Sequence, residues 1–204
     1  MKKQICRAIN SQQIMEDLES SILSSQWVKR YEQIDFLMNI LEYPKQVKRI
    51  FRASDHEFKA SSFHQHCDNQ TNTLLLVKTE FGKIIGGFTH YPWTSDEDGS
   101  YVDGTDRKAF LFSLSMREKF LPQADQFLIY RASTYGPYFG GETDLFIADR
   151  CNSNRVSCAE FPGTYNRSGQ SKLEKTQENF SSFTGASSGN NFQVQEYEVF
   201  QVHH

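Results

Sequence analysis

From residue 73 onward the sequence is a succession of short apolar segments that are rich in Phe, Ile and Val. Clusters of Gly, Asp, Asn and Ser separate these segments, and no helical pattern of 10–15 residues lies between them. Parallel strands need a crossover of a dozen or more residues, usually a helix, so this pattern predicts antiparallel pairing. The predicted strands cover residues 73–79, 83–91, 108–115, 126–133, 144–149 and 192–202.

Several of these strands are apolar at consecutive positions, so both of their faces need cover. Two stacked sheets with helices at their flanks provide that cover. The sequence therefore predicts an α+β fold, a two-sheet antiparallel β-sandwich flanked by short helices. A chain of 204 residues with 14% aromatic residues is large enough to fill the core of one such domain.

The first third of the chain predicts helices. Apolar residues recur at a helical period over residues 14–31, and a second set over residues 36–41 precedes Pro44, which ends a helix. A third helix is predicted within residues 55–68, with Asp55 as its N-cap.

The polar segment 151–191 predicts long loops with at most one short helix, because Ser, Asn and Gly dominate it.

The overall charge argues against a nucleic-acid-binding protein. The net charge is −3 and the pI is near 6.1, whereas such a protein has a basic surface. The start "MKKQICRAIN" has no apolar signal region, and the longest apolar runs, such as residues 74–77, are far shorter than the ~18 residues of a membrane-spanning helix. We expect a soluble, cytoplasmic protein without nucleic-acid binding or direct membrane insertion.

The stretch "YGPYFGGETDLFI" (135–147) raises the question of a ligand-binding loop. It has neither a P-loop nor a dinucleotide-binding spacing, and a strand rather than a helix follows it, so no helix N-terminus is present for an anion. Gly140 and Gly141 more naturally mark a bulge or a close approach of backbones, and we expect a β-branched residue at either to destabilise the domain. Gly86 and Gly87 receive the same interpretation, with rings packed above them such as Phe88, Trp93, Tyr138 and Phe139.

The segment "HQHCD" is the candidate metal site, because on a helix His64 shares a face with Cys67 or Asp68. A structural zinc site needs four ligands and no second pair has suitable spacing, so a polar helix end with a buried cysteine is the preferred interpretation. The acidic loop Ser95 to Asp106 lacks the glycine and glutamate positions of an EF-hand. The sequence predicts no metal and no cofactor.

Covalent catalysis has little support in the sequence. Cys67 with a nearby histidine is the only local nucleophile–base pair, and no third group orients it. Cys151 has Arg150 beside it and Arg155 near, which is the best local case for a reactive thiol. We predict no catalytic residues.

Taken together, the residues from about Ser20 onward resemble the TLDc domain family. The resemblance rests on "SSILSSQ", on residues 48–93, and on "DRKAFLFSL", "YGPYFGGETDLFIADRCNSN" and "NFQVQEYEVFQV", in the family's order and spacing. It implies a TLDc domain over 20–204 with a short N-terminal helical extension over 1–19. It also implies that the glycine block, Tyr135 to Asp144, belongs to a structural signature of the fold, whose positions here are Gly86, Gly87, Phe88, Trp93, Tyr135, Gly136, Pro137, Phe139, Gly140, Gly141 and Asp144. One departure is Glu142, where family members often carry glycine.

The resemblance implies a non-catalytic interaction module that binds and modulates the vacuolar proton-pumping ATPase and is linked to oxidative-stress resistance. Such a protein is cytoplasmic and peripheral to membranes through the pump. Two alternatives stay open: a docking component of a cytoskeletal or axonemal assembly, which implies a ciliary or cytoskeletal location, and a thiol-dependent antioxidant enzyme that uses Cys67 or Cys151.

Overall fold

A computed structural model describes residues 31–104, 108–123, 126–167 and 175–204. In chain order the elements are α1 (Tyr31–Ile40), β1 (Gln46–Arg52), α2 (Ala53–His56), α3 (Ala60–Cys67), β2 (Thr73–Thr79), β3 (Ile84–Thr89), β4 (Ser100–Val102), β5 (Phe110–Ser113), β6 (Glu118–Pro122), β7 (Ile129–Arg131), β8 (Tyr138–Phe139), β9 (Leu145–Phe146), β10 (Ser157–Cys158), β11 (Tyr165–Arg167), α4 (Gln177–Thr184), β12 (Asn191–Phe192) and β13 (Val194–His203). The predicted N-terminal extension (1–19) and most of the predicted helix over 14–31 lie outside the described residues.

Within these described ranges the strands form two antiparallel sheets. One has seven strands in the order β1-β13-β2-β3-β5-β6-β11, and the other has six in the order β12-β10-β9-β8-β7-β4. Adjacent β2 and β3 pair as the predicted hairpin, from Thr73 opposite Thr89 to Lys78 opposite Ile84. The predicted two-sheet antiparallel sandwich with short helices is therefore confirmed.

The main core lies between the two sheets. Leu75 and Leu111 from the seven-stranded sheet meet Phe139 and Leu145 from the six-stranded sheet, all at most 1% exposed. Trp93 closes one end of this core with its ring centroid 5.6 Å from that of Phe139. Burial of these large side chains is the main source of stability for the sandwich.

A second core covers the outer face of the seven-stranded sheet. Helix α1 places Ile34 and Leu37 on this face, where they pack with Leu74, Phe112 and Phe200 from the strands. This arrangement explains why the sequence of β2 is apolar at consecutive positions, because both sides of that strand are buried.

The helical prediction for the first third is partly wrong. Helix α1 forms where the apolar set over 36–41 predicts it and ends before Pro44. Residues 46–52 instead form β1, which pairs with the C-terminal strand β13. A partner about 150 residues away determines this structure, and local periodicity does not reveal it.

The single helix predicted within 55–68 is two helices, α2 and α3. The break falls at Glu57, which has φ 64°. Asp55 lies inside α2 and caps nothing, so that prediction is wrong. The N–H of Ala60 at the start of α3 donates instead to Asp149 Oδ1 at 2.8 Å. A carboxylate distant in sequence thus replaces the expected local cap.

The polar segment 151–191 contains α4, in agreement with the prediction of at most one short helix, and residues 168–174 of it lie outside the described part. Thr176 caps α4 by accepting a hydrogen bond from Asn179 N, and Gly185 ends the helix with φ 89°. The short strands β10 and β11 within this segment were not predicted, because two- and three-residue strands carry almost no periodic signal.

Candidate interaction surface

The glycine block forms the turn between β8 and β9. Gly140 has φ +84°, a conformation that strains any side chain, and a Cβ at this position would lie 2.0 Å from Asp144 Oδ2. The Gly140 N–H donates to the carbonyl oxygen of Leu128 at 2.9 Å. Glycine at this position allows the Asp144 carboxylate to fold back over the turn.

The buried carboxylate of Asp144 holds a loop that is distant in sequence. It accepts hydrogen bonds from the backbone N–H groups of Gly163 at 2.6 Å, Thr164 at 2.8 Å and Tyr165 at 3.2 Å. Burial raises the pKa of Asp144 to about 6, against the lowering effect of the three donors. Both carboxylate oxygens are occupied by backbone donors, and the side chain is fully buried. Asp144 therefore anchors β11 of one sheet to the turn of the other.

The two glycines of β3 lie beneath aromatic rings. A Cβ on Gly87 would lie 2.7 Å from Phe139 Cζ, and a Cβ on Gly86 would lie 2.7 Å from Phe112 Cζ. Phe139 is one of the rings expected above these glycines, whereas Tyr138 lies on the opposite side of its strand. The missing side chains allow large rings from both sheets to approach β3 closely.

Backbone hydrogen bonds tie the rest of the block to β9 and to the Asp144-bound loop. Gly136 N donates to Ile147 O at 3.0 Å, and Ile147 N donates to Pro137 O at 3.0 Å. Gly141 N donates to Thr164 Oγ1 at 3.0 Å. Phe88 lies apart from these residues, in the outer core under α1.

The candidate metal ligand His64 is buried and fully bonded within the protein. Its Nδ1 lies 2.7 Å from Asp68 Oδ1, and its Nε2 lies 3.0 Å from Ala132 O and 2.9 Å from Tyr135 O. Carbonyl oxygens only accept, so Nε2 carries a proton. Within the described ranges no three His, Cys, Asp or Glu side chains come together as metal ligands. His64 instead ties α3 to the segment that leads into the glycine block.

The candidate nucleophiles are poorly placed for thiol chemistry. Cys67 and Cys151 are buried, and burial raises the pKa of Cys151 to about 12 and that of Cys67 well above its ordinary value. Burial also raises the pKa of Cys158 to about 11. The Arg150 side chain, which made Cys151 the best local case for a reactive thiol, is 68% exposed. Reactive cysteines have the opposite environment, with a lowered pKa and solvent access.

A cleft of about 560 Å³ lies at the C-terminal end of α1 and includes Phe88, Phe110, Lys108 and Lys119 in its lining. The Lys119 ammonium donates to Ile40 O at 3.2 Å and lies 4.0 Å from the Phe110 ring centroid. Burial lowers the pKa of Lys119. This lysine is engaged at the end of the helix, where a cation is favourable for structural reasons alone.

The outer face of the six-stranded sheet carries a row of aromatic side chains. In the strand register Tyr101 is opposite Tyr130, Tyr130 is opposite Tyr138, and Tyr138 is opposite Phe146. Successive ring centroids lie 4.6, 5.4 and 5.3 Å apart. Directly opposed residues share one face of a sheet, so the row crosses four strands on one side.

Two further rings extend this row at its ends. The Phe127 centroid lies 4.6 Å from that of Tyr101, and the Tyr135 centroid lies 5.1 Å from that of Phe146. Tyr101 is 46% exposed, Phe127 47% and Tyr135 40%. We call these six rings, Tyr101, Phe127, Tyr130, Tyr135, Tyr138 and Phe146, the aromatic face. Tyr130 and Tyr138 are half-buried and Phe146 is buried, so Tyr101, Phe127 and Tyr135 are the exposed rings of the face. Exposed aromatic residues that pack together in this way are typical of protein-binding sites.

The acidic loop, described over residues 95–104, borders the aromatic face. Gly99 has φ +71°, and a Cβ on it would lie 1.8 Å from Tyr130 Oη, so the turn of this loop lies against the row. Asp96 accepts a hydrogen bond from Ser100 Oγ, and this bond is the main cause that lowers the pKa of Asp96. Arg131 Nε lies 3.9 Å from Asp96 Oδ2. These contacts hold the loop against β7.

Sequence reasoning did not identify the aromatic face as a surface. Tyr135 belongs to the predicted signature, and Tyr138 was expected over the β3 glycines, but Tyr101, Phe127 and Tyr130 were not singled out. One signal was present, since an aromatic residue alternates with a buried apolar one in "YV" (101–102), "IY" (129–130), "YF" (138–139) and "LF" (145–146). The cross-strand register that aligns the four aromatics is not visible in local sequence.

No helix in the described part of the chain is long and apolar enough to cross a membrane.

Comparison with protein families finds a match to the TLDc domain over residues 16–203. No curated protein matches the chain significantly. The matched range covers nearly the whole sequence and contains both sheets, the glycine block and the aromatic face. The chain therefore belongs to the TLDc domain family.

Proposed function

We propose that this chain is a non-catalytic TLDc interaction module that binds the vacuolar proton-pumping ATPase from the cytosolic side and modulates it. Membership of the TLDc family supports a general link to oxidative-stress resistance. The observation that carries the interaction role is the aromatic face, with exposed rings on a sheet whose opposite side is packed in the core. Exposed aromatic residues on a rigid scaffold are suited to protein recognition.

The environment of the cysteines favours this proposal over a thiol-dependent enzyme. Raised pKa values keep the Cys151 and Cys158 thiols protonated near neutral pH, and a protonated thiol is a poor nucleophile. Peroxide consumption is the direct comparison, with wild type measured beside a Cys67→Ser/Cys151→Ser variant. We expect equal rates, and a loss of consumption in the variant would restore the thiol alternative.

Capture of the endogenous protein under native expression tests the proposed partner. A tagged chain is isolated from lysate, and the co-purifying proteins are quantified by mass spectrometry. We expect subunits of the vacuolar ATPase well above an untagged control, in the membrane fraction. Absence of pump subunits would overturn the proposal, and co-sedimentation with salt-washed microtubules would favour the cytoskeletal assembly in its place.

A further inference from the structure

We propose that the aromatic face and the exposed acidic side chains of Glu97, Asp98 and Asp103 beside it form a docking site for an arginine-containing segment of a protein partner. This inference rests on the proposed interaction function and specifies the chemistry of the partner. Four of the six rings of the aromatic face are tyrosines, which combine an apolar ring with a polar hydroxyl. Guanidinium groups stack on such rings and donate hydrogen bonds at their edges, so arginine suits this surface better than an aliphatic side chain does.

Charge around the face selects a cationic segment. At one end the exposed Glu97 and Asp98 lie in the turn that Gly99 holds against Tyr130. Asp103, also exposed, follows directly after the strand that carries Tyr101. Like charges repel, so an acidic partner or an anionic lipid surface is disfavoured here.

The edge of the face beside the β8–β9 turn is acidic as well. Lys175 Nζ lies 3.1 Å from Glu142 Oε2 and 3.5 Å from Glu160 Oε2, so a single ammonium faces two carboxylates. Glu160 also belongs to the surroundings of the Tyr138 hydroxyl, because its charge contributes to the raised pKa of Tyr138, which is caused mainly by burial. Arg131 lies beside Asp96 at the acidic loop, where Glu97, Asp98 and Asp103 supply three further carboxylates. The tyrosines are therefore bordered by net negative charge at the loop and at the β8–β9 turn.

The dimensions of the face indicate the length of the partner segment. Neighbouring strands lie about 4.8 Å apart, so the row from Tyr101 to Phe146 spans roughly 14 Å across four strands. A helix of about 10 residues has this length, with arginines at i, i+4 spacing about 6 Å apart. A twelve-residue peptide with three arginines at i, i+4 and i+8 is therefore the matched probe.

The test is fluorescence anisotropy with this labelled peptide and the full chain. Three companion peptides replace every arginine by lysine, by the neutral isostere citrulline, or by glutamate. We expect the arginine peptide to bind several-fold tighter than the lysine peptide and at least tenfold tighter than the citrulline peptide. Equal binding of the arginine and citrulline peptides would overturn the proposal, because it would show apolar docking without charge recognition.

Matched variants locate the site. Tyr101→Ser/Tyr130→Ser removes two rings without changing the net charge, and we expect at least tenfold weaker binding of the arginine peptide. Tyr43→Ser is the control, since Tyr43 is 57% exposed and lies after α1, away from the six-stranded sheet. Equal affinity of the double variant and wild type would overturn the proposal. Melting curves confirm that each variant is folded.

A second pair of variants covers the case in which the tyrosine substitutions disturb the sheet. Glu97→Gln/Asp98→Asn changes only exposed loop side chains, and we expect three- to tenfold weaker binding with a smaller dependence on salt. Asp35→Asn, on the exposed side of α1, is the charge control and should bind as wild type does. Unchanged binding and salt dependence in the loop variant would overturn the role of the acidic loop.

Three further measurements separate this inference from its alternatives and from the proposed function. Dimerisation that the Tyr101→Ser/Tyr130→Ser variant abolishes would assign the face to a second copy of the chain, and selective binding to phosphatidylserine vesicles would assign it to a lipid surface. Either result overturns the inference.

Failure of wild type to capture pump subunits overturns the proposed function and does not affect the result of the peptide-binding experiment. Undiminished capture by the double variant would overturn the assignment of this face as the partner site.

Discussion

The two sheets of the sandwich differ in what covers their outer faces. On the seven-stranded sheet, Leu74, Phe112 and Phe200 face outward and are fully buried, because Leu37 and its neighbours on α1 pack over them. On the six-stranded sheet the outward row includes Tyr101, which is 46% exposed. Both rows are rich in apolar surface, and only one is covered within the described ranges.

The sheets also differ in how their strands are held. The seven-stranded sheet includes strands of 7, 7 and 10 residues, which form long hydrogen-bonded ladders. No strand of the six-stranded sheet in the described part exceeds three residues, and polar side chains hold its turns. Asp144 accepts three backbone N–H groups, and Ser157 Oγ accepts one from Ala148. Buried polar side chains thus stabilise the six-stranded sheet without a helix packed on its outer face. That face stays accessible to a partner.

The largest expected effect comes from disrupting the Asp144 anchor through Gly140→Val. Valine strains the backbone where φ is +84°, at about 1–3 kcal/mol, and its Cβ displaces the Asp144 carboxylate. Each buried donor that loses its acceptor costs about 1–3 kcal/mol more. We expect a loss of more than about 4 kcal/mol in the free energy of unfolding, measured by urea denaturation.

Gly141→Val is the control for this prediction. A Cβ on Gly141 would lie 3.2 Å from Phe127, a ring that is 47% exposed and free to shift. We expect a cost of about 1 kcal/mol, as for a tolerated surface change. Equal costs for the two variants would show that the Asp144 anchor does not stabilise the sheet as described.

The anchor also illustrates what the sequence could not reveal. Both glycines of "FGG" were expected to serve backbone geometry, but the sequence treats them alike. Only the structure shows that Gly140 makes room for Asp144 while Gly141 borders the aromatic face.

The strands β2 and β3 were predictable, because their apolar composition and hairpin spacing are local properties of the sequence. The pairing of β1 with β13 was not, because it depends on a contact between the two ends of the domain.

The candidate site was harder to predict than the fold for a similar reason. Tyr101, Tyr130, Tyr138 and Phe146 come from four strands separated by turns, and each looks like an ordinary strand aromatic in its own segment. Their alignment follows from the register of very short strands, and the glycine turn connects the two strands that carry Tyr138 and Phe146. Local propensity carries no information about such a register.

The next largest effect tests the covered face. Leu37→Ala removes a side chain with no exposed surface from between α1 and the seven-stranded sheet. We expect a loss of about 2–5 kcal/mol in the free energy of unfolding, from lost burial and from the cavity left behind. Chemical denaturation beside Phe127→Ala provides the matched comparison, since Phe127 belongs to the exposed face. A smaller loss for Leu37→Ala than for Phe127→Ala would reverse the comparison between the two sheets.

A smaller effect concerns pH and the buried carboxyl of Glu198 on β13. Glu198 has no exposed surface, and its Oε1 lies 2.9 Å from Arg49 Nη1 and 3.5 Å from Arg52 Nε. Burial raises its pKa from 4.5 to about 7, against the lowering effect of both arginines and together with the charge of Glu196. The folded state therefore binds a proton that the unfolded state releases between pH 4.5 and 7.

This raised pKa determines the sign of the pH dependence. The contribution of Glu198 to stability is fully present below its unfolded pKa and is lost as pH rises through about 7. We expect wild type to lose roughly 2–3 kcal/mol more than Glu198→Gln between pH 5 and pH 8. Urea denaturation at several pH values measures both, and titrating groups that do not interact with Glu198, such as Asp144, cancel in the difference. Parallel pH profiles of the two proteins would contradict the prediction.

The smallest effect on stability is expected for Tyr101→Ser on the aromatic face. Tyr101 is 46% exposed, and its neighbours on the sheet are Tyr130 and Phe127, so the substitution removes two ring contacts and leaves no buried cavity. Cross-strand aromatic pairs contribute about 0.2–1 kcal/mol each, so we expect a loss near 1 kcal/mol by urea denaturation and almost none for Tyr101→Phe. A loss as large as that of Leu37→Ala would mean that this ring is part of the core and is not held for a partner. An interaction surface is expected to show a small loss of stability together with a large loss of peptide binding. A ring that is needed for folding instead lowers the free energy of unfolding of the chain by itself when it is removed.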